Sequence, residues 1–462
     1  MKNYSGKKIV IIGVARQGQA LARFFTKRGA QVVLTDARDR DQLGEEMLEL
    51  EKLAVTLDLG GHHIEVLDNT DLVCVSGGVP LTIPFIQEAL VRNIPLTNDS
   101  QIFIEECPCM VAGITGSAGK STTTALTGLM AKTTFEMKSN RQKAWVGGNI
   151  GNPLIDALDE IQEDDLAIME LSSFQLELMK NSPQVAAVLN ITPNHLDRHG
   201  SMDAYIDAKS RILWHQHADD IAVLNRDDEV SWSLLRDIKG DLISFGFNKP
   251  DARSNGTYID QDTVWLQIGR EKLKMFPVEW IQLRGRHNLY NVLAASAIAA
   301  ATTLALPAIQ SAVEEFTGIP HRFETVRELN GVTWINDSIA TAPERTIAAI
   351  DSISEPIVLL LGGRDKNLPW DKLAAIVRKK IERVIIFGEA APIINDAIGP
   401  RKPGQYLKSV VITKDLAEAL KTAQIQAQPG EVVLLSPGGT SYDAFKDFEE
   451  RGQFFRDWVN QL

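Results

Sequence analysis

Short apolar runs alternate with amphipathic stretches along the first 105 residues of the chain. The segments KIVIIGV (8–14), QVVLTD (31–36) and DLVCVSGG (71–78) have the continuous apolar character of strands that are buried on both faces. Between the first two, QALARFFTKRGA has the spacing of an amphipathic helix that ends at Gly29. This strand–helix–strand repeat predicts a parallel, doubly wound α/β sheet.

The same pattern begins again at CMVAGITG (109–116), where a predicted strand leads into a glycine-rich loop and a helix. DLAIMELSS (165–173) and VAAVLNIT (185–192) are predicted to be two more buried strands. Residues 221–280 hold shorter apolar runs between turn residues, which predicts an antiparallel excursion. The segment 287–306 is apolar on nearly every face and predicts a long buried helix.

A third set of strands starts near Gly318 and includes GVTWINDS, PIVLLLGG, RVIIFG and EVVLLSPGG. A chain of 462 residues is too long for one hydrophobic core. We therefore predict three α/β domains. They are a Rossmann-like N-terminal domain (1–107), a central P-loop-type ATPase domain with a mixed sheet (108–317) and a C-terminal Rossmann-like domain (318–462).

Composition narrows the class of protein. Hydrophobic residues at 44% and charged residues at 23% are typical of a soluble globular protein. The net charge of −12 disfavours broad nucleic-acid binding, and no apolar run approaches the ~20 residues of a membrane span. The three cysteines fit a reducing compartment, and the first apolar run breaks at Gly13 with no cleavage site. We expect a cytoplasmic protein with neither nucleic acid nor membrane as a partner.

The segment GITGSAGKSTTT (113–124) has the character of a phosphate-binding loop. Gly116 and Gly119 let backbone N–H groups point at phosphate oxygens, and the following helix adds positive charge at its N-terminus. Lys120 suits the outer phosphates, and the Ser121 hydroxyl suits Mg²⁺. The usual P-loop pattern has glycine where this chain has Ile114, so a plain glycine-rich turn is the alternative.

Polar residues lie at the carboxyl ends of two predicted strands. In open parallel sheets, ligands bind beyond these ends. Glu170 closes one strand and His195 follows the other, so both could face the loop and hold a metal. His195 and His199 also have the i, i+4 spacing of a zinc pair. Oxygen ligands suit Mg²⁺ beside phosphates better, which favours magnesium.

Three further features have both a functional and a structural interpretation. Lys209 lies on a predicted helix, where composition alone indicates a solvated lysine. Asn288 and Asn291 begin an apolar helix and could either read a base or cap the helix. Charged residues near the start of the third domain could be surface charges or parts of an interdomain active site; they are Arg322, Asp337 and Lys366.

The segment GVARQG (13–18) has the form G-x-A-x-x-G, a weak signal for a nucleotide site. Asp36 ends the next strand at about the spacing of a ribose-binding acid. Taken alone, either glycine loop would also fit a simple P-loop ATPase or a dinucleotide-dependent oxidoreductase.

Along its whole length the chain resembles the Mur ligase family. The resembling segments, in chain order, are GITGSAGKSTTT, GGNIGNP, ELSSFQLE, LNITPNHLDRHG, YIDAKSRI, NRDD, GRHNLYN, HRFETV, INDSIAT, LLLGGRDK and SYDAFKDFEERG. The loop of this family has the form T-G-x-x-G-K-[ST]-T, which accommodates Ile114.

The resemblance implies an ATP-dependent, ADP-forming ligase of acids and amino acids. It would add D-glutamate to UDP-N-acetylmuramoyl-L-alanine through an acyl phosphate, in peptidoglycan synthesis and hence in cell shape and cell division. The implied setting is a cytoplasmic monomer that uses ATP and Mg²⁺.

The resemblance also assigns roles to residues. Lys120, Lys209, His195 and Lys366 would be catalytic, with Lys209 as the lysine that is carbamylated in this family. ATP would be bound by Gly116, Ser117, Ala118, Gly119, Lys120, Ser121, Thr122, Asn291, Arg322 and Asp337, and Mg²⁺ by Ser121, Glu170 and His195. The UDP substrate would contact Asp36, Arg38, Ser76, Gly77 and Asn149, and glutamate would contact Thr341, Lys366, Ser441 and Phe448.

Two segments depart from the family pattern near the implied amino-acid pocket. Ile339 stands where the family usually has a lysine, and Gly438-Gly439-Thr440 stands where relatives usually show Ala, Cys and Ala. L-Glutamate is therefore an alternative amino acid. A folylpolyglutamate-synthase-like ligase is the other alternative, although such ligases lack a nucleotide-binding first domain.

Overall fold

The computed structural model describes residues 2–43, 50–139, 141–149, 151–366, 368–400 and 406–462. The chain divides into two compact units, residues 1–316 and 317–462. The first unit contains two sheets and the second contains one, so the predicted three-domain α/β class is confirmed. The residue boundaries proposed between the first two domains stay predictions.

The first sheet is parallel throughout. Its strands are β1 (Lys8–Ile12), β2 (Gln31–Asp36), β3 (Thr56–Leu59), β4 (Leu72–Val75) and β5 (Leu96–Thr97), in the order β3-β2-β1-β4-β5. The turn after β1 packs tightly on the following helix, because a Cβ on Gly18 would meet the carbonyl oxygen of Gly13 at 1.8 Å. That close approach explains why the predicted G-x-A-x-x-G motif needs its last glycine.

The central sheet is parallel over most of its width. Its strands are β6 (Met110–Thr115), β7 (Ala144–Gly148), β8 (Leu166–Glu170), β9 (Val185–Val188), β10 (Ile221–Asn225), β11 (Asp241–Phe245), β12 (Asn255–Asp260), β13 (Thr263–Ile268) and β14 (Glu271–Pro277). They lie in the order β14-β13-β12-β11-β10-β9-β6-β8-β7. The predicted antiparallel excursion is only partly right, because β10, β11 and β12 pair in parallel and antiparallel pairing joins only β12, β13 and β14.

The sheet of the second unit has one antiparallel edge. Its strands are β15 (Glu324–Leu329), β16 (Val332–Asn336), β17 (Ile357–Gly362), β18 (Arg383–Phe387), β19 (Ser409–Ile412) and β20 (Val432–Gly438). Their order is β15-β16-β20-β17-β18-β19, and β15 pairs antiparallel with β16 while the other pairs are parallel. Helices between the parallel strands cover the sheet, as a doubly wound arrangement requires.

The α-helices of the first unit span Arg16–Lys27, Arg40–Leu43, Pro84–Val91, Asp99–Glu106, Lys120–Met137, Ser173–Leu176, Leu196–His199, Met202–Trp214, Glu229–Ser233, Arg286–Ala301 and Leu306–Glu315. Those of the second unit span Pro343–Asp351, Asp371–Lys380, Ala391–Ile398, Leu416–Gln426 and Phe448–Asn460. Among the described residues, no helix combines the length and the apolar character needed to cross a bilayer.

The long buried helix predicted over 287–306 ends earlier than expected. It spans Arg286–Ala301, and a second helix starts at Leu306. Between the two helices, Thr303 has a φ of 55°, a left-handed conformation that interrupts the helical backbone. Pro307 lies in the first turn of the second helix. A missing N–H is tolerated there, because the first N–H groups of a helix have no partner within the helix. The same residue would break a helix that continued through it from Arg286.

One apolar cluster runs through the first two sheets and joins them within the first unit. It includes Phe25 and Ile102 of the N-terminal region together with Leu154 and Leu158 of the central region, all of them buried. At its margin Arg23 Nη2 lies 2.6 Å from Asp156 Oδ2. Partly exposed ion pairs contribute little, so burial of the apolar cluster is the main stabilising contribution.

Candidate active site

The loops that follow β6, β7, β8 and β9 leave the central sheet at one edge, because these strands run parallel. β6 lies between β9 and β8, and the register places both Ile114 and Gly148 opposite Glu170. The glycine-rich loop after β6, Asn149 after β7 and Glu170 at the end of β8 therefore come together, as the sequence predicted for Glu170. Carboxyl ends of parallel strands are where ligands bind in such sheets.

The glycine-rich loop has a backbone that other residues adopt only with strain. Gly119 has a φ of 84°, and Gly116 has a φ of 159°. A Cβ on Gly119 would lie 2.2 Å from Oδ1 of Asn291, so Asn291 packs directly against the loop. The helix Lys120–Met137 begins immediately after Gly119, which directs its first N–H groups toward the loop.

Asn190, which the sequence analysis did not single out, holds the loop in place. Its Oδ1 accepts the N–H of Ala118 at 2.9 Å, and its Nδ2 donates to the Ala118 carbonyl at 3.0 Å. Its own carbonyl accepts the N–H of Ser117 at 2.9 Å. The Ser117 hydroxyl donates to the Thr192 carbonyl at 2.9 Å. The segment after β9 thus fixes the conformation of the loop.

Two lysine ammonium groups converge on one carbonyl beneath the loop. Nζ of Lys120 and Nζ of Lys209 each donate to the Gly116 carbonyl at 2.9 Å. Lys209 also lies 3.3 Å from Oγ1 of Thr115 and is only 1% exposed. The solvated lysine indicated by composition is therefore wrong for position 209, where the helix Met202–Trp214 faces the loop.

The surroundings of Lys209 favour its neutral amine form more than water does. Burial lowers the pKa of Lys209 well below its ordinary value, and the positive charge of Lys120 lowers it further. The carboxylate of Glu170 opposes this shift without cancelling it. A buried amine of this kind is a better nucleophile than an ordinary surface lysine.

Glu170 is the buried acid of the site, with 1% exposure. Its Oε1 accepts a hydrogen bond from Nδ2 of Asn149 at 2.8 Å, while its Oε2 is buried with no hydrogen-bond partner. A buried carboxylate oxygen without a donor is costly unless a cation compensates it. Ser121, at the start of the loop helix and 3% exposed, offers a second hard oxygen. These donors fit Mg²⁺.

His195 and His199 do not form a zinc pair. Nδ1 of His199 lies 3.0 Å from Oε1 of Glu177, and its Nε2 lies 3.0 Å from Oγ of Ser173. Both ring nitrogens of His199 are thus engaged. His195 is exposed, and its ring lies 5.2 Å from that of Phe174. The described residues contain no group of three or more His, Cys, Asp or Glu side chains arranged to hold a metal.

Arg198, a second residue that the sequence analysis did not single out, links the central region to the turn after β4. Its Nη1 and Nη2 donate to the carbonyls of Gly78 and Val79 at 2.9 and 2.6 Å. The guanidinium lies 4.0 Å from the centre of the Phe174 ring. The turn beside Ser76 and Gly77 is therefore attached to the sheet edge that carries the loop.

The N-terminal candidates gather around the turn after β1. Oδ1 of Asp36 accepts N–H groups from the backbone and Nε of Arg38, each at 3.0 Å, and Oδ2 accepts the N–H of Val14 at 3.0 Å. Burial raises the pKa of Asp36, but these hydrogen bonds outweigh burial and leave the pKa below its ordinary value. On the other side of the turn, the N–H of Gly77 donates to Oε1 of Gln17 at 3.1 Å, and the Ser76 hydroxyl lies 3.5 Å from the Gly13 carbonyl.

In the second unit, Asp337 follows β16 and is buried. Its Oδ2 accepts from the Ser436 hydroxyl at 2.9 Å, and its Oδ1 accepts the N–H of Phe323 at 3.1 Å. Burial raises the pKa of Asp337 to about 6, although these donors and the charge of Arg322 act in the opposite direction. Asp337 thus fixes the segment that carries Arg322.

The fully buried Arg451 links the segments next to two candidates for the amino-acid pocket, Phe448 and Ser441. Its Nε donates to the Ser338 hydroxyl at 3.0 Å, and its Nη1 donates to the Thr440 carbonyl at 3.0 Å. The Ser338 hydroxyl in turn donates to the Phe448 carbonyl at 2.9 Å. Ser441 follows directly and is 2% exposed. Sequence pattern alone gave no reason to expect a buried arginine at this position.

Three protein-family models match consecutive parts of the chain. They are described as the Mur ligase MurD-like N-terminal domain (residues 7–98), the Mur ligase middle domain (114–299) and the Mur ligase glutamate ligase domain (321–439).

Curated relatives align over nearly the whole chain. UDP-N-acetylmuramoylalanine–D-glutamate ligase of Symbiobacterium thermophilum is 37% identical over 457 residues, which cover 99% of this chain and 98% of that protein. The protein of the same name from a Thermoanaerobacter species is 36% identical over 458 residues, with 99% of each chain covered.

Solved structures share the fold at low sequence identity. UDP-N-acetylmuramate-alanine ligase from Thermotoga maritima has a TM-score of 0.54 at 20% identity and covers 98% of this chain and 99% of its own. A MurF ligase from the same organism, solved in complex with ADP, has a TM-score of 0.50 at 15% identity, with 100% of this chain and 96% of its own covered.

Proposed function

Because this chain belongs to the Mur ligase family, an ATP-dependent and ADP-forming family of ligases, we propose that it joins D-glutamate to UDP-N-acetylmuramoyl-L-alanine in peptidoglycan synthesis. The names of the full-length relatives support the choice of D-glutamate. The observation that carries the proposal is the group of Lys120, Lys209 and Glu170 around the glycine-rich loop, with Glu170 Oε2 lacking a donor.

ATP is the phosphoryl donor, and its phosphates bind over the loop residues Gly116, Ser117, Ala118, Gly119, Lys120, Ser121 and Thr122. The helix that starts at Lys120 supports this placement, because its first N–H groups and the ammonium of Lys120 attract anions. The packing of Asn291 against Gly119 supports its assignment to the nucleotide. Arg322 and Asp337 are the remaining residues proposed to bind ATP.

Ser121, Glu170 and His195 would hold Mg²⁺. When bound, the ion neutralises charge on the transferring phosphoryl group. Asn149 keeps the Glu170 side chain oriented through its hydrogen bond to Oε1.

Lys209 is proposed to carry a carbamate. Its burial and depressed pKa support this assignment, because only the neutral amine attacks CO₂. In that step the Nζ–C bond forms and a proton leaves the nitrogen. The product is an anion in the buried position that otherwise places two ammonium groups on the Gly116 carbonyl.

The reaction proceeds in two displacements. An oxygen of the substrate carboxylate attacks the γ-phosphorus of ATP, the bond from that phosphorus to the bridging oxygen breaks, and ADP leaves. The amine of glutamate then attacks the acyl carbon, the bond from that carbon to the phosphate oxygen breaks, and the nitrogen loses a proton. Lys120 and Arg322 stabilise charge on the phosphoryl group.

The remaining candidates bind the two other substrates. Asp36, Arg38, Ser76, Gly77 and Asn149 hold the UDP part of the acceptor, and Lys366, Thr341, Ser441 and Phe448 hold glutamate. The convergence of the N-terminal residues on the turn after β1 supports the first assignment. We also propose that the chain acts as a monomer in the cytoplasm and contributes to cell shape and division.

The decisive experiment measures phosphate release from ATP with UDP-N-acetylmuramoyl-L-alanine and either D- or L-glutamate. We expect release that requires both the acceptor and D-glutamate. Release with L-glutamate alone would overturn the choice of amino acid, and release that occurs only with a folate acceptor would overturn the choice of acceptor.

A further inference from the structure

Three cations come together around the proposed amino-acid pocket of the second unit. Burial lowers the pKa of Lys366, and the positive charges of Arg345 and Arg451 lower it further. The charge of Arg345 also acts on the buried carboxylate of Asp337, an anion of the protein itself. Like charges repel, so a further anion that enters between Arg345 and Lys366 would be attracted by both. Lys366 was predicted as a site residue from the sequence, whereas Arg345 and Arg451 were not.

The contacts of Arg345 place it beside two residues of that pocket. Its Nη1 donates to the Ile339 carbonyl at 3.3 Å. The same carbonyl accepts the N–H of Thr341 at 2.8 Å. The Thr341 hydroxyl in turn lies 3.5 Å from Nζ of Lys366. Arg345, Thr341 and Lys366 therefore form a short chain of contacts around one carbonyl.

The position of Arg345 in its helix is electrostatically unfavourable for the free protein. Arg345 lies in the first turn of the helix Pro343–Asp351, whose N-cap residue Ala342 makes no side-chain cap. The N-terminus of a helix carries partial positive charge, so an arginine there adds to the repulsion. A bound carboxylate would be attracted by the helix end and by both cations at once.

Arg451 cannot itself bind a ligand, because its donors are already used. Nε and Nη2 contact the hydroxyl and carbonyl of Ser338, and Nη1 and Nη2 contact the carbonyls of Gly439 and Thr440. These contacts account for the five N–H donors of a guanidinium. Arg345 and Lys366 are both exposed, so an anion from solvent can reach them. The direct contact with an anion therefore belongs to Arg345 and Lys366.

We propose that Arg345 binds a carboxylate of the incoming dicarboxylic amino acid and supplies the cation that position 339 lacks in this chain. Ile339 stands where the family pattern has a lysine. The Arg345 guanidinium donates a hydrogen bond to the carbonyl of Ile339. Two cations, Lys366 and Arg345, match the two carboxylates of glutamate. This inference rests on the proposed glutamate ligase function.

The test is the steady-state kinetics of the full chain with D-glutamate as the varied substrate. For Arg345→Ala we expect the KM for D-glutamate to rise at least about tenfold, with kcat and the KM for ATP changed by less than about twofold, because one charge-assisted hydrogen bond is lost. Arg345→Gln, which can keep a hydrogen bond to the Ile339 carbonyl but has no charge, should show the same rise. For Arg345→Lys, the KM for D-glutamate should stay within about threefold of the wild-type value.

A rescue variant separates a binding role from a structural one. Adding Ile339→Lys to Arg345→Ala returns a cation to the family position and should recover most of the lost affinity for D-glutamate. The matched control is Lys421→Ala, which removes an exposed cation from the helix Leu416–Gln426 of the same unit and should leave every constant unchanged.

An unchanged KM for D-glutamate in both Arg345→Ala and Arg345→Gln would overturn the inference, as would a double variant no better than Arg345→Ala. A wild-type chain that does not consume D-glutamate would instead overturn the proposed function. The two failures are therefore distinguishable in the same assay.

Discussion

The glycine-rich loop of the central region and the cation cluster of the second unit, both proposed as anion sites, are built in different ways. The loop uses backbone groups and side chains at the ends of neighbouring strands, with Gly119 against Asn291 and Lys120 on the Gly116 carbonyl. The cluster uses side chains from separate segments, with Arg345 in a helix start and Lys366 after β17. A backbone site requires glycines at fixed spacing, whereas a charge can be supplied from another position.

Two buried carboxylates extend this comparison. Glu170 keeps one oxygen without a donor, whereas both oxygens of Asp337 accept hydrogen bonds from the protein. The first arrangement is suited to a cation, and the second holds two segments of the chain together. Similar residues at strand ends can thus differ in how many of their carboxylate oxygens the protein itself satisfies.

The largest effect is expected for Lys120→Ala. Loss of the ammonium removes charge stabilisation from the transferring phosphoryl group, and we expect kcat to fall by at least about 10³-fold. The melting temperature should change little, because the bonds from Lys120 Nζ to the Gly116 and Ser117 carbonyls stay within the loop itself. Lys132→Ala, an exposed position on the same helix, is the control. Full activity of Lys120→Ala would remove the loop from the mechanism.

Glu170→Gln should lower activity by about 10²-fold while raising the melting temperature. The amide keeps the shape of the side chain but removes a buried charge that has one oxygen without a donor. The Mg²⁺ concentration needed for half-maximal rate should rise in parallel. Glu160→Gln, at an exposed position of the same region, should change neither quantity. A less stable Glu170→Gln with normal Mg²⁺ dependence would show that Glu170 is structural.

Asn190→Ala should raise the KM for ATP by about tenfold. The variant loses both side-chain hydrogen bonds to Ala118. The cost of ordering the loop is then taken from the free energy of ATP binding. The KM for D-glutamate should stay within about twofold of the wild type, because the cation cluster belongs to the other unit. Equal increases in both constants would mean that the loop and the cluster are not independent.

The smallest effect concerns Asp337 and pH. Burial raises the folded pKa of Asp337 to about 6 from 3.8, so its contribution to stability is full below about pH 3.8 and is lost as pH rises through about 6. The loss is at most about 3 kcal/mol. Calorimetry should show that the melting temperature of Asp337→Asn rises relative to that of the wild type, by a few degrees, when the pH is raised from 4 to 7. A difference independent of pH would contradict the assignment.

The sequence determined the class of fold and the elements whose signals are local. The continuous apolar run 31–36 became β2 with the same bounds, and the glycine-rich segment became a loop between β6 and a helix. These predictions succeeded because side-chain periodicity and glycine spacing act within a few residues along the chain. The same information was only partly right at 221–280, because strand direction depends on the partner that each strand finds.

Only the tertiary structure decided which polar side chains are buried and what they contact. Lys209 reaches the Gly116 carbonyl across 93 positions of sequence, and the Arg451 Nε contact with Ser338 spans 113. The exposure of His195, and the burial of the His199 ring with both of its nitrogens engaged, were equally invisible in the i, i+4 spacing. Burial and hydrogen bonding between distant segments depend on how the sheets pack, and no local pattern encodes that packing.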